Sequence, residues 1–171
     1  VQKFIYYELT FPVGDSGYYR PCTLLGLSGD PTEAFTAQYF PTNPEDAIGP
    51  LEQPTSFDHI SHSEYWTIER SVGSSATAYV TLTWDTPASG GVTIPDSMGI
   101  AHWNGSIWQE IPSGSYGDAN LGGVVSIDSQ SDFSPWTLGS YVNVNPLPIE
   151  LLNFTATPRN GVVDVAWSTA S

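Results

Sequence analysis

TAYVTLTW, residues 77–84, alternates without a break: Ala78, Val80, Leu82 and Trp84 fall on one face, Thr77, Tyr79, Thr81 and Thr83 on the other. A period of two held over eight residues describes a strand with one buried face. EYWTIER (64–70) repeats the pattern, setting Trp66 and Ile68 against Tyr65, Thr67 and Glu69. GIAHWNGSIWQEI (99–111) carries Asn104-Gly105 between two apolar runs, the strongest short-range hairpin signal. With a two-residue loop, Trp103 pairs with Ser106 and Ala101 with Trp108, so both tryptophans share a face.

Outward from these, FIYYEL (4–9), YYRPCTLLGL (18–27), AFTAQYF (34–40), GGVVSID (122–128) and SPWTLGSY (134–141) read as further strands. FPVG, SGDPT, PTNPEDAIGP, TPASGG and SGSYGDANLGG punctuate them. No segment holds a helical period over three turns, and there is no internal repeat. The pattern predicts an all-β antiparallel β-sandwich of about eight strands over residues 1–144. A Pro-rich linker and two apolar strands, LLNFTATP and VVDVAWST, follow over 145–171 as a C-terminal two-stranded extension. An isolated hairpin is marginal in water, so this tail must pack on something or belong to a larger module. Its apolar residues Leu151, Leu152, Phe154, Val163, Val165 and Trp167 are the candidate assembly interface.

Composition agrees with an all-β domain. Charged residues make up 13% of the 171-residue chain, against roughly 25% in an average soluble domain. Eighteen acidic residues face four basic ones, a net charge of −14. That field repels phosphate backbones and anionic lipid, which argues against nucleic-acid binding. No apolar run is long enough for membrane insertion. No cofactor is expected apart from Ca²⁺, for which the loop PTNPEDAIGPLEQP (41–54), with Glu45, Asp46 and Glu52, is the best local candidate. It lacks the spacing of a D-x-[DN]-x-[DN]-G loop. Cys22 stands alone and reads as a small buried hydrophobe. The chain begins at Val1 with no signal peptide and reads as a piece of something processed or longer.

GDSG (14–17) is the tetrapeptide around the nucleophile of trypsin-like proteases. A serine hydroxyl needs a positioned base. Only 15 residues precede Ser16 and none is histidine; His59, His62 and His102 all lie downstream. Gly14, Asp15 and Gly17 equally suit a turn, and the turn is the reading favoured here. His59 and His62 form H-x-x-H, which on a strand points to opposite faces and makes a poor metal pair. His102, beside the hairpin loop, is expected to face solvent. Trp66, Trp84, Trp103 and Trp108 fit inward faces, whereas Tyr18, Tyr19 and Tyr116 lie near loops and suit exposed contacts. Asn104 and Asn153 sit in N-x-[ST] sequons.

The series FPVGD, YRP, EYW-x-I-x-R, VTLTW, IAHWNGSIW, FSPWTLGS and PLPIELLNFTA resembles a module of surface and secreted Bacteroidota proteins exported by the type IX secretion system. The resemblance covers essentially the whole chain. It implies an extracellular β-sandwich at the outer cell surface, with no catalytic residues to carry over. In that family a linker like PLPIELLNFTA opens a fibronectin-type-III-like domain; here that part stops at Ser171, after about two of its usual seven strands. Asp96-Ser97-Met98 resembles the short O-glycosylation signal of such proteins, which marks Ser97. The expected function is a non-catalytic structural or adhesive module of a secreted cell-surface protein, a fibre-forming subunit assembling through its C-terminal strands, with itself or neighbouring surface-protein domains as partners. The alternative is a carbohydrate-binding accessory module of a larger secreted enzyme, with glycans as partners.

Overall fold

The computed structural model describes residues 8–30, 32–50, 56–85, 89–133, 135–145, 151–159 and 162–169. In chain order the strands are β1 (Glu8–Phe11), β2 (Gly14–Asp15), β3 (Tyr18–Tyr19), β4 (Cys22–Ser28), β5 (Ala34–Phe40), β6 (His59–Ile60), β7 (Tyr65–Val72) and β8 (Thr77–Asp85). Then come β9 (Met98–Trp103), β10 (Trp108–Ile111), β11 (Ser113–Gly117), β12 (Leu121–Ser126), β13 (Trp136–Ser140), β14 (Leu151–Arg159) and β15 (Val162–Thr169). A single helical turn, α1 (Pro44–Ala47), and a 3₁₀ turn over Pro95–Ser97 complete the described elements.

One sheet runs β1-β4-β8-β12-β11 and the other β10-β9-β13-β7-β5, with β6 beside β13. All pairs are antiparallel. The alternation of 77–84 has its expected outcome: Ala78, Val80, Leu82 and Trp84 are buried. They meet Tyr39, Trp66, Ile68, Met98, Ile100, Trp136 and Leu138 from the facing sheet in one core. Burying side chains of this size stabilises by about 1.5–3 kcal/mol each before entropy is counted. Cys22 lies in the same core, as expected.

The outer face of the second sheet is covered as well. Phe57, Ile60, Ala101 and Trp108 form a smaller cluster, with Ile48, Trp103 and Tyr141 against it. Gly99 and Gly139, opposite each other across β9 and β13, make the flat place on which Phe57 lies. A Cβ at either would come within 3 Å of the Phe57 ring. Trp103 and Trp108 therefore belong to this outer cluster, not to the space between the sheets, and Trp103 is only half-buried.

Several expectations are corrected. Among the described residues thirteen strands, several of only two residues, precede Asn145, where about eight were expected. β2, β3 and β6 are two-residue pairings too short to show a period. β11 lies in Gly- and Ser-rich sequence that reads as a loop, yet pairs with β12 over five residues. YYRPCTLLGL breaks at Arg20-Pro21, because the Arg20 side chain turns inward there. The hairpin at Asn104 has a four-residue loop: Trp103 pairs with Trp108. The Asn104 carboxamide oxygen accepts from the N–H groups of Ser106 and Ile107, which uses up the residues a two-residue loop would have paired. The two tryptophans still share a face, their rings 5.6 Å apart. His102 is buried, not solvent-facing, with its ring 4.2 Å from Trp136. A strand covered on both sides leaves no outward position.

Asn145, which the sequence places at the start of the linker, is held by the sandwich. Asn145 is fully buried. Its carboxamide oxygen accepts from the N–H groups of Thr93 and Ile94, and its NH₂ donates to the Ile94 carbonyl and to Ser140 Oγ. Asn145→Ala is expected to cost about 2–4 kcal/mol in urea unfolding, since it strands two backbone donors. Among the described strands, β14 and β15 pair only with each other, as a two-stranded ribbon.

Candidate functional site

The ribbon's register sets Phe154 opposite Trp167, Ala156 opposite Val165 and Pro158 opposite Val163. Residues opposite each other share a face, and every second residue repeats it. Phe154, Ala156, Pro158, Val163 and Val165 thus form one face without a charged group; Thr155, Thr157, Val162, Asp164 and Ala166 lie on the other. Phe154, Val163 and Val165 are 59%, 60% and 47% exposed. The apolar side is open where it is described. The side chains of Leu151, Leu152 and Trp167 lie outside the described residues, as does that of Asn153 in its sequon.

GDSG is a turn. Ser16 and Gly17, both at positive φ (53° and 87°), join β2 to β3. The Asp15 carboxylate accepts from the Ser16 N–H and hydroxyl. The acidic loop folds as α1, with Asn43 accepting from the Glu45 N–H at its start. Glu45 and Asp46 are exposed there, and Glu52 lies outside the described residues. Among the described residues no group of three or more His, Cys, Asp or Glu could hold a metal. His59 Nδ1 lies 2.8 Å from Asp58. Burial pushes the Cys22 thiol up to about 12, so it stays protonated and unreactive at neutral pH. Ser97, at the end of the 3₁₀ turn, is half-buried. Tyr18, Tyr19 and Tyr116 are exposed, as expected.

Sequence reading missed the use made of the cations. Arg20 is wholly buried: Nε meets the buried Glu64 carboxylate at 3.1 Å, and one terminal nitrogen lies 2.7 Å from Asp85. The guanidinium also donates to the Tyr19 and Asp85 carbonyls. Tyr39 donates to Glu64 at 2.8 Å, and the Trp66 indole N–H donates to the Arg20 carbonyl. Burial pushes the Glu64 carboxyl above its usual range, and Arg20 opposes that shift. Arg20 precedes β4 of one sheet and Glu64 precedes β7 of the other, so the pair ties the sheets together at one end. A second tie holds a turn. The Glu33 carboxylate accepts from the N–H groups of Ser74, Ser75 and Ala76 and from the Ser75 hydroxyl. The Ser75 hydroxyl, with the three N–H groups, brings its acid down to about 2. Arg70 lies beside it, against the rings of Phe35 and Phe133. The available signal was scarcity: with four basic residues in the chain, the arginines of YRP and EYW-x-I-x-R stand inside apolar strand runs.

No family model, curated protein or solved structure matches the chain.

Proposed function

We infer that this chain is a non-catalytic structural or adhesive module of a secreted cell-surface protein, joined to a second copy through its C-terminal ribbon. The observation that carries this reading is the open apolar face of β14–β15. Two strands alone do not hold their shape in water. Covering four such side chains is worth roughly 6–12 kcal/mol before entropy costs. The sandwich offers sheet edges at β1, β11, β10 and β5, and an exposed edge accepts an added strand. A ribbon from one copy seated on the next makes a head-to-tail contact, and such a contact propagates as a fibre when it does not close. The extracellular setting rests on the sequence resemblance.

Deletion of residues 146–171 is expected to abolish concentration-dependent assembly in light scattering and electron microscopy. Phe154→Asp with Val165→Asp should do the same with the chain length kept. Particles of unchanged size and form after either change would overturn the assembly role and leave the ribbon as part of a module closed within one chain.

A further inference from the structure

We propose that the outer face of the five-stranded sheet is a binding platform for an extended, uncharged polysaccharide. The register across this face is continuous. Leu25 lies opposite Tyr79, and Thr10, Thr23, Thr81 and Val125 follow one another across four strands. Thr83, Gly123 and Tyr116 make the next row, and Leu121 lies opposite Asp85 beyond it. The inward residues of the same strands fill the core, so these point away from it.

Unlike the outer face of the other sheet, which lies beneath Phe57 and Trp108, this one keeps its aromatic groups open. Tyr79 is 39% and Tyr116 51% exposed. Both rings lie down on glycine. A Cβ at Gly123 would come within 2.7 Å of the Tyr116 phenol, and one at Gly26 would meet the Tyr79 ring at 3.2 Å. The two rings stand two strands and four residues apart, roughly 15–17 Å by strand geometry. Between them lie the half-buried Thr83 and Val125 and the buried Thr81.

Charge selects the occupant. The chain carries −14, yet no residue within this field is ionisable apart from the two tyrosines. At its rim stand two carboxylates, Glu8 beside Leu25, accepting from the Thr10 hydroxyl, and Asp85, paired with Arg20. An acidic polymer is repelled by the surrounding field. A protein partner is poorly matched, because protein hot spots sit in packed pockets that a flat face lacks. A neutral sugar polymer fits: its C–H faces stack on the open rings. Flatness and spacing suit a chain or a polymer surface, and not a single sugar.

The platform is independent of the ribbon, and the test separates the two. The full chain is incubated with insoluble cellulose, chitin and granular starch, and the bound fraction is measured against free protein. Retention on at least one polymer is expected, with Tyr79→Ala and Tyr116→Ala each lowering the affinity at least fivefold while circular dichroism stays unchanged. Tyr116→Phe should retain most of the binding. If Tyr116→Ala unfolds the edge, Tyr79→Ala alone decides. No retention on any polymer, retention equal in both alanine variants, or retention lost only with residues 146–171 would overturn the proposal. So would loss of self-association in the tyrosine variants, which would make the face a protein contact.

Discussion

Arg20→Met lowers the stability of the sandwich by about 3–5 kcal/mol, the cost of leaving a buried carboxylate without its partner. Glu64 and Asp85 turn toward the guanidinium, which is wholly buried, and Tyr39 donates to Glu64 beside it. Glu64→Leu alone is expected to cost a similar amount, because Arg20 then loses its buried counter-charge. The double variant Arg20→Met/Glu64→Leu should lose less than the sum of the singles, since neither ion is left stranded. Urea unfolding of the four proteins measures the coupling. Strict additivity would show that Arg20 and Glu64 act separately.

Trp84→Ala is the second large effect, about 3–5 kcal/mol. The indole is buried in the main core and donates to the Asp118 carbonyl at 3.0 Å. Gly122 sits beneath it, where a Cβ would meet the ring at 2.3 Å, so the neighbouring strand has nothing with which to fill the hole. Trp103→Ala, in the outer cluster and half-buried, should cost less than half as much. Equal losses at the two positions would mean that the outer cluster is as tightly built as the space between the sheets.

These contrasts mark what was legible from the residues. β5, β7 and β8 follow their own alternation, because each has a clear apolar stripe that only one sheet face can bury. β9 and β13 are buried on both faces, and period two carries no information there; that is why His102 was misplaced. β11 has no apolar stripe at all and is held by pairing with β12. The layer beneath Phe57 depends on two glycines 40 residues apart in the chain, and the Arg20–Glu64 tie on residues 44 apart. Local pattern cannot announce such meetings. The ribbon, by contrast, was plain from its Pro-rich linker and paired apolar runs, and its open face follows from the register.

The Asn145 anchor has a mechanical consequence. Tension on the ribbon reaches the sandwich at Asn145 and passes into β13, which lies between β9 and β7. Pulled along its axis, β13 must give up its five pairings with β9 together with those to β7 and β6, and the carboxamide spreads part of the load to Thr93 and Ile94. At the opposite terminus, β1 is an edge strand held on one side by four residue pairs. A stretched chain therefore yields first by peeling β1, and the seat of the ribbon stays intact while the far edge gives way.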